Sequence, residues 1–306
     1  MQRFPITLTQ LVYFAECAKT LNMTVASGNL HVAQSAVSTA ITQLERSLGA
    51  SLFIRQHAKG LILTEAGQRL LFDSHHLFGS LQETIDSIRE TQYRVSGPVT
   101  VACFNTLAPF LLPRLLSALR AEHPELEVSV IEGDHSECLA ALRDGRAEIA
   151  LTYDLPFGDG IDSTVVAEFR PHVILPTSHP LAGNPATRLS DLEDEPFVLL
   201  DLPSSSDYFI RILTDAGITP NLRYRSSSYE TVRSMVAMGL GFSILNQRPR
   251  TAETYAGECT AIVEIADPVA SLTLEVSSLQ QVRRSRRAQA VQEAVARAFE
   301  GAPSAT

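Results

Sequence analysis

The first 64 residues alternate apolar and polar positions at helical spacing, then at strand spacing. In "TLTQLVYFAECAKT" the residues Leu8, Leu11, Phe14, Ala15 and Ala18 share one helical stripe, with Thr7 or Thr9 placed to cap it. "MTVASGNL" predicts a short second helix marked by Met23, Ala26 and Leu30. After a turn at His31–Val32, a third helix begins near Gln34 and stops at Gly49, glycine being the residue that best ends a helix in the left-handed conformation. "LFIRQHAKGLILTEAG" then predicts two brief strands, Phe53–Arg55 and Leu61–Leu63, around a tip of His57, Ala58, Lys59 and Gly60.

Thr64 opens a longer helix whose apolar residues, Leu70/Leu71, Leu77/Phe78, Leu81, Ile85 and Ile88, recur roughly every seven positions. A helix of that length, about 40 Å, exceeds what the small preceding domain can cover, so packing against a second copy is expected, the alternative being that the stripe lies on the chain's own C-terminal domain. "VSGP" at 95–98 marks a boundary. From Val99 short apolar runs alternate with helical stretches: "VTVAC", "LAPFLLPRLLSALRAEHP", "LEVSVIEG", "SECLAALRDGRA" and "EIALTYD" read as βαβαβ. That order predicts a parallel sheet with right-handed crossovers. A second set follows through "PHVILPTSHP", "FVLLDLP", "DYFIRILTDAG", "LRYRSSS", "YETVRSMVAMG" and "GFSILN", before a strand "SLTLEVSS" and an amphipathic helix "SRRAQAVQEAVARAFEG".

Composition adds the class. The 306 residues are 45% hydrophobic and 19% charged, as in a soluble globular protein, and no uncharged apolar run reaches membrane-spanning length. The opening residues read as structure and not as a secretory signal. Four dispersed cysteines without a CxxC pair predict reduced thiols in a cytoplasmic protein. The net charge of −9 argues against indiscriminate nucleic-acid binding, but it is unevenly spread. Residues 1–64 hold five Lys or Arg against two Asp or Glu, a surplus of +3, while the other twenty Lys or Arg and thirty-two Asp or Glu leave −12. A small basic end on an acidic body suits an N-terminal unit that meets phosphate.

The third helix carries the sharpest chemical signal. At about 100° per residue, Val37, Ile41, Leu44 and Leu48 fall on one side, and Ser35, Ser38, Thr39, Thr42 and Arg46 on the other. Short hydroxyls ending in an arginine suit a helix that enters a major groove, where long acids would repel the backbone. Gln34 at its start offers an amide for adenine, and the helix N-terminus favours phosphate. The tip residues His57 and Lys59, with Arg55, would flank the groove. The blander alternative is a solvated Ser/Thr-rich helix in an ordinary bundle.

The stretch "MTVASGNLHVAQSAVSTAITQLERSLGASLFIRQHAKGLILTEAG" resembles the N-terminal domain of LysR-type transcriptional regulators. The matching elements are Thr24, Ala26 and Leu30, then "VAQSAVS", Ile41, "QLE" at 43–45, "LG" at 48–49, Leu52 to Arg55 and "LTEAG" at 63–67. Ser27-Gly28-Asn29 and Ser35 depart from the family pattern, and a glycine in the second helix costs roughly 1 kcal/mol of helix propensity. The resemblance implies an α/β protein with an N-terminal all-α winged helix-turn-helix domain, a long linker helix and a two-lobed Rossmann-like effector-binding domain. The expected divisions are 1–64 (motif about 23–42, wing about 53–63), 65–92 for linker and dimerisation, and 93–306. Lobe I is expected at about 97–166 with 268–301, and lobe II at about 167–267. Its implied DNA contacts are Thr24, Gln34, Ser35, Ser38, Thr39, Thr42, Arg46, Arg55, His57 and Lys59. Implied partners are double-stranded promoter DNA, a small-molecule effector, a second copy through the linker helix, a tetramer of such copies, and RNA polymerase.

Ligands of such sheets bind beyond the carboxyl ends of strands. Four strand ends here run into helix starts rich in capping groups: "CFNT", "GDHSE", "DLPSSSD" and "SSSYE". Convergent helix N-termini favour a small organic anion, with Asn105, Thr106, His135, Tyr153, Ser204, Ser205, Ser227 and Asn246 as candidate contacts. Asp134 and Glu137 read as caps only, and Ser227 to Glu230 has the same capping-box spacing. Cys103 and Cys138 raise a redox switch as a weaker idea, and His75–His76 a metal site as a weaker one still. No cofactor is expected. The other class considered is a binding protein or enzyme with an appended helical domain, but no GxSxG, Walker, HExxH or GxGxxG signature supports catalysis.

Overall fold

The structure, a computed structural model, describes residues 5–56, 60–88, 95–155, 160–203, 205–280, 282 and 284–299. The chain divides into two compact units, the first ending at about residue 93.

In the first unit, α1 (Leu8–Thr20) starts on a reciprocal cap: Gln10 N donates to Thr7 Oγ1 and Thr7 N donates to Gln10 Oε1. Thr7, not Thr9, is therefore the cap. Leu11, Phe14, Cys17 and Ala18 are buried, but Leu8 stays exposed because it stands at the first helical position, outside the core. α2 (Met23–Asn29) is capped by Asn22, whose Oδ1 accepts from the N–H groups of Thr24 and Val25. α3 (Gln34–Leu48) ends at Gly49, whose φ of 66° lets the chain turn while Ala50 N donates back to Glu45 O.

Phe14, Ala26, Val37, Ile41, Leu44 and Leu52 form the centre of this unit's core. Leu48 does not join them. It is exposed, because the last turn of α3 runs past the core. β1 (Phe53–Gln56) and β2 (Gly60–Leu63) pair antiparallel, with Phe53 opposite Leu63 and Ile54 opposite Ile62. α4 (Glu65–Ile88) is capped by Thr64, whose Oγ1 accepts from Gly67 N at 3.0 Å. Leu70, Leu71 and Phe78 pack on the small core, whereas Leu77 and Leu81 are exposed. Residues 89–92 of the expected helix lie outside the described residues.

Among the described residues the second unit has three sheets, a five-stranded one in lobe I and a four- and a two-stranded one in lobe II. In lobe I the chain runs β3 (Gly97–Phe104), α5 (Ala108–Glu122), β4 (Leu126–Gly133), α6 (His135–Arg143), β5 (Ile149–Tyr153) and β6 (Ile161–Phe169). Lobe II holds β7 (His172–Pro176), β8 (Ala186–Thr187), β9 (Phe197–Leu200), α7 (Ser206–Asp215), β10 (Leu222–Ser226), α8 (Tyr229–Ala237), β11 (Ser243–Leu245) and β12 (Thr260–Ile265). The chain then returns through β13 (Leu272–Leu279) and α9 (Arg286–Phe299).

The lobe I sheet has the order β4-β3-β5-β13-β6. Its first three strands are parallel, as the alternation predicts, but β13 and β6 are antiparallel to their neighbours. The reason is the chain's route. β6 carries it out of the lobe and β13 brings it back alongside, Leu272 opposite Phe169 and Leu279 opposite Ile161. Lobe II is likewise mixed: β7 lies antiparallel to β11 and β12, and β9 lies parallel to β10. One continuous core of buried residues, including Phe104, Leu115, Leu151, Phe197, Leu245 and Leu274, serves both lobes.

Candidate nucleic-acid interface and interlobe cleft

The two faces of α3 differ sharply. Val37, Ile41 and Leu44 are 0–1% exposed, while Gln34, Ser35, Thr39, Thr42 and Arg46 are exposed and Ser38 is half-buried. The Thr42 hydroxyl donates to Ser38 O at 2.9 Å, so its lone pairs face outward as acceptors. No side chain caps the start of α3, where Ala33 stands at the cap position, so the first backbone N–H groups have no capping side-chain acceptor. Thr24 is exposed on α2, and Arg55 is exposed on β1. The expected tip contacts His57 and Lys59 lie outside the described residues. Glu45, on the flank of α3, accepts from the N–H groups of Leu52 and Phe53 and so ties this helix to the first hairpin strand. Sequence spacing alone did not reveal that tie.

In the second unit, the ends of β3, β5, β9 and β11 meet at a cleft between the lobes. Thr106, Tyr153, Ser205 and Asn246 all line it, walled by Phe104, Leu200, Phe209 and Leu272. The starts of α5, α7 and α8 border it through Thr106, Ser205 and Tyr229. No lining side chain is charged.

Three expected contacts lie elsewhere. His135 is 2% exposed at the start of α6 and does not line the cleft, because β4 sits one strand outside the β3–β5 pair. Asn105 and Ser227 are exposed and off the lining. Ser227 is not the helix cap either: Ser228 is, accepting from Thr231 N. Asp134 and Glu137 form a reciprocal capping pair, as their spacing implies. Ser204 lies outside the described residues.

The cleft encloses about 20 Å³, room for about one water. Its polar groups already bond each other. Gln247 Nε2 donates to the Tyr153 hydroxyl at 2.7 Å, and Asn246 Nδ2 donates to the Tyr208 hydroxyl and to Phe169 O. The Tyr208 hydroxyl donates to Ala270 O, and the Tyr229 hydroxyl to Gln247 O. Burial pushes the Tyr153 phenol up to about 12 and those of Tyr208 and Tyr229 above their ordinary range, so all three remain neutral donors. Gln247, Tyr208 and Tyr229 escape sequence reading because distant segments bring them together.

Cys103 and Cys138 are fully buried. Burial pushes the Cys138 thiol up to about 12 and Cys103 further, the opposite of what a thiolate sensor needs. Among the described residues, no three His, Cys, Asp or Glu side chains stand together as a metal site, and no helix is long and apolar enough to cross a membrane.

Residues 8–68 match the bacterial regulatory helix-turn-helix proteins of the lysR family, and residues 93–300 match the LysR substrate binding domain. The chain belongs to the LysR family of transcriptional regulators. This LysR-type protein is a DNA-binding regulator and not an enzyme. It is 31% identical to the regulator CatR of Pseudomonas putida over 81% of this chain and 86% of CatR. HinK, a LysR family regulator from Pseudomonas aeruginosa, shares 33% identity at a TM-score of 0.64, covering 95% of this chain and 98% of HinK. A full-length OxyR variant from Pseudomonas aeruginosa superposes with a TM-score of 0.79 over 95% of this chain and 98% of its own, at 23% identity, a likeness of fold.

Proposed function

We propose that this LysR-type regulator reads promoter DNA with the exposed strip of α3, and that a small organic anion between the lobes modulates that binding. One observation carries the DNA half: Gln34, Ser35, Thr39, Thr42 and Arg46 face solvent directly behind Val37, Ile41 and Leu44, which fasten the helix inward. Short hydroxyls and an amide approach base edges, Arg46 and the uncapped helix start meet phosphate, and Thr24 and Arg55 flank them. Copies pair through α4, whose Leu77 and Leu81 lack cover within the first unit, and such pairs assemble into tetramers.

In the effector half, Thr106, Tyr153, Ser205 and Asn246 orient the ligand. Its charge is met by the N-termini of α5, α7 and α8, since the cleft offers no side-chain cation. A ligand larger than water enters only when the lobes part.

Fluorescence anisotropy of the full chain with DNA from upstream of its own gene, across a salt series, tests the DNA half. Ser38→Glu should weaken binding about tenfold or more while leaving effector-induced thermal stabilisation intact. Unchanged affinity in Ser38→Glu places the wrong face in the groove. Thermal-shift screening with small carboxylates against wild type and Ser205→Phe tests the effector half. A stabilisation by short aliphatic carboxylates that survives the cleft-filling phenylalanine refutes the interlobe site.

A further inference from the structure

A second cavity in the effector unit is far larger than the interlobe cleft. It encloses about 610 Å³, within the range of small-molecule sites, against about 20 Å³ for the cleft. Its apolar surface comes from Phe110 of α5, Phe169 at the end of β6 and Phe299 at the end of α9. Phe169 and Phe299 meet edge to face at 5.9 Å.

Around this surface stand four guanidinium groups, those of Arg114, Arg170, Arg248 and Arg250, and no carboxylate lines the cavity. Arg248 is matched by Glu264 in a two-bond pair, and Arg170 donates to Ile265 O. Arg114 and Arg250 have neither a carboxylate nor a hydrogen-bond partner among the described residues. Four arginines gathered on a body whose residues after 64 sum to −12 form a local reversal of sign.

Asn246 supplies a second observation. It is 6% exposed and walls both cavities, and its Oδ1 has no hydrogen-bond partner while its Nδ2 is doubly engaged. A buried amide oxygen left without a donor is costly, and a ligand hydroxyl or N–H would satisfy it.

We infer that this outer cavity is a second ligand site, distinct from the interlobe cleft, for an organic anion with an aromatic or bulky aliphatic body. The body lies on Phe110, Phe169 and Phe299, and the anionic group meets Arg114 and Arg250. Asn246 and Gln247 are the shared wall, and Gln247 also holds Tyr153 in the cleft.

Calorimetric titration of the full chain with naphthalene-1-sulfonate tests this, with inorganic phosphate as the head-group-only arm. Saturable binding is expected, weakened about tenfold or more in Arg114→Gln/Arg250→Gln and in Arg250→Gln alone by a smaller factor. Both arginines are exposed, and an unchanged thermal unfolding midpoint of the effector unit confirms that the variants fold. Ser205→Phe, which fills the interlobe cleft, should leave this binding intact, so failure here and failure of the interlobe reading are told apart. The inference is overturned if no saturable binding occurs or if the arginine variants bind as wild type does. Loss of binding in Ser205→Phe alone, or displacement by phosphate at equal concentration, overturns it equally.

Discussion

Glu45 joins α3 to the hairpin, and the strength of that join can be worked out. Its Oε1 accepts from Leu52 N at 2.7 Å and from Phe53 N at 3.4 Å, and both residues are nearly enclosed, at 1% and 7% exposure. In Glu45→Ala the Leu52 N–H loses its acceptor where water has poor access. A hydrogen bond to a charged group contributes about 1.5–3 kcal/mol, which corresponds to about a 10- to 150-fold faster amide exchange at Leu52 and Phe53. Glu45→Gln keeps an oxygen in place without the charge and should lose about half as much. Hydrogen–deuterium exchange of the full chain reads both variants directly, and the same samples should bind promoter DNA more weakly with effector binding unaltered. Exchange at these two amides within about twofold of wild type in Glu45→Ala would refute the reasoning.

Three further outcomes are expected. Gly241 has φ 143°, and a Cβ there would meet Pro196 O at 2.0 Å, so Gly241→Ala should destabilise the effector unit by about 3 kcal/mol or more in denaturant unfolding. Burial lowers His172 to about 3, so the folded state stays neutral while the unfolded state takes up a proton below pH ~6.5, and stability falls with falling pH between those values. His172→Met should remove about 2 kcal/mol of the loss between pH 7 and 5, and an unchanged pH slope in calorimetric unfolding would count against this assignment. Burial raises Cys17 to about 11 and Cys138 to about 12, so a thiol reagent at about pH 8 should label half-buried Cys259 in the native protein, with Cys17, Cys103 and Cys138 reacting only on unfolding.

What could be read from the chain follows the range of the forces involved. The two faces of α3 are local, fixed by a 100° turn per residue, and Val37, Ile41 and Leu44 were visible for that reason. Leu48 shares their face by spacing but lies beyond the core's edge, which only tertiary packing defines. β6 was hidden because an edge strand buries little, and Asp162, Ser163 and Thr164 give it no apolar alternation. Helix starts and strand ends pointed to Thr106, Tyr153, Ser205 and Asn246. Gln247 and Tyr153, 94 positions apart, show no such sign, since their bond exists only once the sheets assemble. The arginines of the outer cavity come from three separated segments and were equally silent.

The interlobe space is shut by the protein's own amide and phenol groups, and this has a consequence for how a signal would be received. On the proposal that an effector binds between the lobes, an incoming metabolite would have to displace Gln247 from Tyr153, and its measured affinity would be its intrinsic affinity reduced by the fraction of molecules standing open. Loosening that latch, as in Gln247→Leu, would sharpen sensitivity to dilute metabolite and at the same time let the receptor fire unprompted. Responsiveness and silence at rest would thus be set against each other at the Gln247–Tyr153 contact.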